Sequence, residues 1–114
     1  MAEWKESSTI EEWNQILAAS AEKPVFVMKH STACPISANA WRAFQSHVTN
    51  NPHENAEYVM VKVIESRPVS NQIAEDLHVA HQSPQVLLVQ NREALWHTSH
   101  WDITEERLNA AYQA

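Results

Sequence analysis

Apolar side chains recur along this chain in two rhythms. Ile10, Trp13, Ile16 and Leu17 return every three or four positions and predict a helix from Thr9 to about Ser20, with Ser8-Thr9-Ile10-Glu11 in capping-box spacing at its start. Pro24 then opens a short run, Val25-Phe26-Val27-Met28, with no polar alternation, as in a strand covered on both faces. Pro35 suits the first position of a second helix, lined on one side by Ile36, Ala40, Trp41, Phe44 and Val48 and stopped by Asn50-Asn51-Pro52. Tyr58 to Val63 reads as a second buried strand. Pro68 opens a third helix with Ile73, Ala74 and Leu77 inward, and Pro84 precedes a third strand, Gln85-Val86-Leu87-Leu88-Val89. Asn91-Arg92-Glu93 is suited to turn a hairpin into Leu95-Trp96-His97, and Asp102-Ile103-Thr104-Glu105 to cap a last helix reaching about Tyr112.

The predicted order is α-β-α-β-α-β-β-α. Strand–helix alternation implies parallel pairing through right-handed crossovers, and the terminal hairpin adds an antiparallel pair. The expected fold is α/β, a central mixed sheet of about four strands with helices on both faces. Residues 1–114 are expected to form a single domain, a length that suits one core.

Composition narrows the function classes. Hydrophobic residues make up 44% of the chain and charged residues 19%, which suits a packed core rather than disorder. The net charge of −6 and the lack of a basic cluster argue against nucleic acid and against anionic membranes as partners. No apolar run approaches the roughly 18 residues of a membrane span, and Met1-Ala2-Glu3-Trp4-Lys5-Glu6 lacks the layout of a signal peptide. With one cysteine the chain cannot staple itself, which suits a reducing compartment, so a cytoplasmic location is expected. Glycine is absent, which excludes Gly-rich phosphate loops and leaves the tight turns to Asn, Asp, Ser and Pro.

The candidate chemistry lies in Lys29-His30-Ser31-Thr32-Ala33-Cys34-Pro35-Ile36-Ser37, between a buried strand and a helix. Cys34 falls at the helix N-cap, where free N–H groups and the positive dipole end favour a thiolate. Lys29 and His30 add positive charge there if they turn toward the thiol. A lone cysteine is otherwise most often a small buried apolar group; the strand–loop–Cys-Pro–helix context points to a reactive one. Ser37, three residues on, shares the same helical edge, so its hydroxyl is placed to donate to the thiolate. It cannot form a disulfide, and any resolving thiol must come from another molecule. Ser83-Pro84 is either a cis bond, the usual X-Pro exception, or a trans proline opening a strand. The seven histidines show no convincing metal-ligand spacing. Trp96 is expected in or beside the core, and Asp102 as a helix cap.

Cys34-Pro35-Ile36-Ser37 after the first buried strand and Ser83-Pro84-Gln85 before the third resemble the thioredoxin superfamily. More narrowly, Ser31–Ser37, His81–Gln85 and Trp96–Thr104 look like the monothiol bacilliredoxins, proteins linked to the small thiol bacillithiol. The resemblance implies removal of bacillithiol from mixed disulfides on client proteins, with Cys34 as nucleophile and Pro84 as a cis-proline facing it and shaping the substrate groove. It places Thr32, Pro35, Ser37, Ser83, His100 and Trp101 on the substrate side. It also implies no tightly bound cofactor, bacillithiol as co-substrate, and bacillithiolated proteins and a low-molecular-weight thiol as partners. Ser37 stands where thioredoxins carry a second cysteine, and Ser99-His100-Trp101-Asp102 where glutaredoxins carry a glycine pair, so glutathione is not the expected ligand. The alternatives are a glutaredoxin-like iron–sulfur carrier bridging two chains through Cys34, and a non-catalytic thioredoxin-like binding module.

Overall fold

The computed structural model describes residues 3–112. Along these the chain forms β1 (Trp4–Glu6), α1 (Ile10–Ala19), β2 (Val25–His30), α2 (Pro35–Asn50), β3 (Glu57–Lys62), α3 (Arg67–Leu77), β4 (Gln85–Gln90), β5 (Glu93–Ser99), a 3-10 turn at His100–Asp102, and α4 (Glu105–Ala110). The five strands make one sheet in the order β1-β3-β2-β4-β5. The fold is that of thioredoxin, with one strand more than the sequence pattern foretells.

The additional strand is β1. It is three residues long, exposed, and two of its residues are charged, so no apolar signal marks it. Backbone pairing with β3 holds it in place, Trp4 opposite Tyr58 through Glu6 opposite Met60, and Ser7 N–H extends the ladder to Met60 O.

Strand direction is the second difference. β3 runs parallel to β2, as alternation implies, but β4 runs antiparallel to it. α3 ends on His78 in the left-handed conformation, and residues 79–84 bring the chain back to the C-terminal end of β2. Gln85, the first residue of β4, therefore pairs with Lys29, the fifth of β2. An apolar run that is buried on both faces carries no information about its own direction.

Two of the four helix caps, those of α1 and α4, differ slightly from expectation. The α1 cap is Thr9 rather than Ser8: Thr9 Oγ1 accepts from Glu12 N–H at 3.1 Å, and the Glu12 carboxylate accepts from Thr9 N–H at 3.1 Å and Ser8 N–H at 2.9 Å. This register lets one carboxylate satisfy two N–H groups ahead of the helix. The α4 cap is Thr104, which accepts from Arg107 N–H. Asp102 lies exposed in the 3-10 turn instead, because buried Ile103 keeps the chain extended between turn and helix.

The sheet separates two apolar layers. One packs Trp13, Ile16 and Ile73 of α1 and α3 against Val27, Val59 and Leu87. The other packs Phe44 and Leu108 of α2 and α4 against Phe26, Met28, Tyr58 and Leu88, with Trp96 half-buried at its margin. Each such side chain contributes about 1.5–3 kcal/mol relative to exposure. All six residues of β2 are buried, so the strand that delivers the Cys34 loop is rigid on both faces.

Candidate active site

Cys34 is the N-cap of α2, with extended backbone (φ −116°, ψ 123°) and Pro35 in the first turn. Proline is accommodated there because the first N–H groups of a helix lack intrahelical partners. The first helical bond runs from Ala38 N–H to Cys34 O at 3.0 Å. The thiol makes no capping hydrogen bond and is half-exposed. Thr32 and Pro35 are exposed beside it, and Thr32 Oγ1 reaches the Glu65 carboxylate only at 3.5 Å.

The two basic neighbours make their hydrogen bonds with groups other than the thiol. Lys29 is fully buried on the α3 side of the sheet, where its ammonium donates to Ser70 O at 3.1 Å and to His81 Nδ1 at 3.2 Å. Burial lowers this amine from its usual 10.5 to about 8. His30 points to the other side, stacked on Trp41 with ring centroids 5.3 Å apart. Burial holds His30 below the ordinary histidine value, opposed by a hydrogen bond to the Ser37 backbone and by the Glu65 charge and reinforced by the Lys62 charge.

Ser37 also departs from expectation. It is fully buried. Its hydroxyl oxygen lies 2.8 Å from His30 Nδ1 and accepts from Ser31 N–H at 2.9 Å. The hydroxyl is thus engaged by the loop ahead of Cys34 and not by the thiol.

The Ser83–Pro84 bond is cis, and Pro84 is buried. Because Gln85 pairs with Lys29 on one side and Ser99 on the other, Ser83 and Pro84 stand at the sheet end from which the Cys34 loop leaves β2. Pro84 has no N–H, and its carbonyl accepts from His100 N–H at 3.0 Å. His100 itself sits at φ 55°, a left-handed conformation unusual outside glycine. It leaves Trp101 66% exposed at the same end. The 3-10 turn packs against α2. Ser83 Oγ and Gln85 Oε1 are buried without a hydrogen-bond partner.

Sequence reasoning did not foresee Glu65 beside Thr32 and His30, nor the bonds that tie His30, Ser31 and Ser37 together. The one available signal was the pair of polar residues, Lys29 and His30, ending a wholly apolar strand. Among the described residues no group of three His, Cys, Asp or Glu side chains is close enough to hold a metal ion, and no helix is long and apolar enough to cross a membrane.

A mixed sheet between helix layers, a cysteine at a helix N-terminus and a cis-proline at the same sheet end define a thioredoxin-fold protein of thiol redox chemistry. The family model for the monothiol bacilliredoxin BrxC matches residues 5–108, and the chain belongs to that family. It is 33% identical to a solved thioredoxin-fold chain described as a candidate oxidoreductase, at a TM-score of 0.84 over 96% of this chain and 94% of that one. The thioredoxins of Malassezia sympodialis (14% identity, TM-score 0.79, 97% and 89% covered) and Schistosoma mansoni (16%, 0.76, 98% and 100%) share the fold.

Proposed function

We propose that the protein removes bacillithiol from mixed disulfides on client proteins, in a monothiol cycle carried by Cys34. The observation that carries this reading is a half-exposed Cys34 at the N-terminus of α2, with buried Ser37 where a second cysteine would resolve the intermediate. Cys34 thiolate attacks the bacillithiol sulfur. A new sulfur–sulfur bond joins Cys34 to bacillithiol, the old one breaks, and the client sulfur leaves as thiolate and takes up a proton. A second bacillithiol thiolate then attacks the adduct, releasing the symmetrical disulfide and regenerating Cys34 thiolate. No electrons beyond those of the thiols are needed.

The helix N-terminus favours the anionic sulfur at the start and end of the cycle. The Pro84 carbonyl is occupied by His100, so backbone pairing with a client strand falls to Ser83, which makes no other backbone–backbone hydrogen bond among the described residues. Trp101 supplies exposed apolar surface beside it. Thr32 and Pro35 border the thiol on the solvent side. The protein needs no bound cofactor in this scheme, and bacillithiol is a substrate. The cycle suits a cytoplasmic setting, where thiols stay reduced.

Incubation with a client carrying a bacillithiol mixed disulfide, followed by intact mass measurement, tests the reading. The expected result is a freed client and a bacillithiol adduct on the wild-type protein, with neither in Cys34→Ser. Serine is a favoured N-cap residue, so that variant keeps its fold. Release of the client by Cys34→Ser, or no release by wild type, overturns the proposal.

A further inference from the structure

Among the described residues, the hydroxyl of Ser37 is the one polar group that joins the strand before the Cys34 loop, the loop itself and the helix after it. It is fully buried on the first turn of α2, with Nδ1 of His30 from the end of β2 at 2.8 Å and the N–H of Ser31 from the loop at 2.9 Å. The loop is closed further by Ala33 N–H to Ser31 Oγ and Cys34 N–H to Ser31 O, both at 3.4 Å.

Proton accounting assigns the donors. The oxygen of Ser37 already accepts from Ser31 N–H. If His30 Nδ1 also donated, the hydroxyl proton of a wholly buried serine would have no acceptor. If Nδ1 is bare, that proton goes to His30, and the Ser37 hydroxyl both donates and accepts. The network therefore selects neutral His30 with its proton on Nε2. The Trp41 ring stacked on the imidazole, at an interplanar angle of 24°, fixes its plane.

We infer that His30 is a positioning residue for Cys34, acting through Ser37: neutral His30 holds the Ser37 hydroxyl proton, and this clasp sets the loop that presents the thiol at the helix N-terminus. Protonation of His30 puts a second N–H on the Ser37 oxygen and turns the hydroxyl proton out of the clasp. The clasp is therefore closed at neutral pH and opens in acid. The charged groups acting on His30 are Lys62 at the end of β3, itself 3.7 Å from Glu6 of β1, and Glu65 in the loop after β3; α2 contributes Ser37 and Trp41. Burial outweighs the opposing hydrogen bond to the Ser37 backbone and holds His30 toward its neutral form, in keeping with a closed clasp near neutrality. The inference deepens the proposed thiol exchange and rests on Cys34 being its reactive group.

The test is the rate of Cys34 alkylation by iodoacetamide from pH 5 to 9, which involves no bacillithiol, in wild type, His30→Ala, His30→Asn, Ser37→Ala and the double variant His30→Ala/Ser37→Ala. Asparagine keeps an acceptor near the Nδ1 position and does not titrate. An anion at a helix N-terminus gains a stabilisation equivalent to at most about thirtyfold, and its partial loss on loosening of the loop is expected to cost about tenfold. At pH 7.5, His30→Ala and Ser37→Ala should each slow alkylation by that amount, and the double variant should be no slower than either, as for two members of one unit. His30→Asn should stay within about twofold of wild type, as an acceptor retained within the unit predicts. The acid inflection due to His30 should vanish in all three His30 variants. Melting curves establish that each variant is folded; if His30→Ala is not, His30→Asn and Ser37→Ala carry the test. Wild-type rates and inflection in His30→Ala, an inflection retained in His30→Asn, or multiplicative losses in the double variant overturn the inference. Alkylation that follows this pattern while client release fails would overturn the bacillithiol reading and leave the clasp standing.

Discussion

Nζ of Lys29 lies 3.2 Å from Nδ1 of His81, in the layer between the sheet and α3, and both groups are pushed toward their neutral forms. For Lys29 the cause is burial; for His81 it is burial first, then the charges of Lys29 and Arg67. Because the amine donates to Nδ1, that nitrogen stays bare, and a proton there would set two cations face to face.

Stability should rise with pH above about 8. The folded chain releases the Lys29 proton near 8 and the unfolded chain near the ordinary 10.5. Between those values the unfolded chain holds more protons, so the penalty of burying the cation is full below 8, falls through the window and is gone above it. One proton corresponds to a slope of at most about 1.4 kcal/mol per pH unit. Tyr58, which burial holds above its usual 10, works in the opposite direction at the top of the window. Urea denaturation at pH 7.5, 8.5 and 9.5 should show the rise in wild type and not in Lys29→Met; equal slopes in the two proteins would refute the assignment.

The acid side is governed by histidines. Buried His47 places Nδ1 2.6 Å from Asn109 Oδ1 and Nε2 2.9 Å from the Tyr58 hydroxyl, which also accepts from His53 N–H. These partners suit an imidazole protonated on Nδ1 alone. Burial lowers His47, and His30 and His81 shift the same way. The folded chain therefore binds these protons less tightly than the unfolded one. Stability is unaffected well above about 6.5, then falls as pH drops through that value and continues falling until the lowered folded-state values are passed. A loss of about 1 kcal/mol or more between pH 7 and pH 5 is expected. His47→Gln should flatten that slope in denaturation curves, and an unchanged slope would assign the acid sensitivity elsewhere.

The β4–β5 hairpin turns on Asn91 and Arg92, at φ 53° and 64°, a geometry in which glycine is preferred at the second position. Ser20, capping the end of α1, holds the turn: its carbonyl accepts from Asn91 N–H at 2.8 Å and its hydroxyl from Arg92 N–H at 3.0 Å. Arg92→Gly relieves the Cβ clash and should stabilise the protein by about 1 kcal/mol. Ser20→Ala leaves the Arg92 N–H without its acceptor and should destabilise it by about 1–3 kcal/mol. Thermal melts of both variants check these signs.

Trp101 is exposed and supports little of the core, so Trp101→Ala should change stability by no more than about 0.5 kcal/mol. On the proposed function it should slow exchange with a client mixed disulfide severalfold while iodoacetamide alkylation of Cys34 stays at the wild-type rate. Equal exchange rates would remove Trp101 from the client surface.

The apolar rhythm determined the first three helices and the central strands, because burial of a face imposes a period on the sequence that makes it, while turn and cap residues marked the hairpin and the last helix. It also placed Cys34 at a helix start, since Cys-Pro after a buried run admits few other arrangements. β1 escaped because an edge strand held by backbone pairing leaves no mark on its side chains. The direction of β4 escaped because a strand buried on both faces looks the same read either way. Caps slipped by one or two residues where neighbouring Ser, Thr and Asp offered equivalent oxygens, and only the reach of Glu12 and the burial of Ile103 decided between them. The fates of Lys29, His30 and Ser37 belonged to the tertiary structure. Adjacent strand residues point to opposite faces, so two basic neighbours of Cys34 were sent to α3 and α2, and the hydroxyl expected at the thiol was taken by an imidazole that sequence distance could not orient.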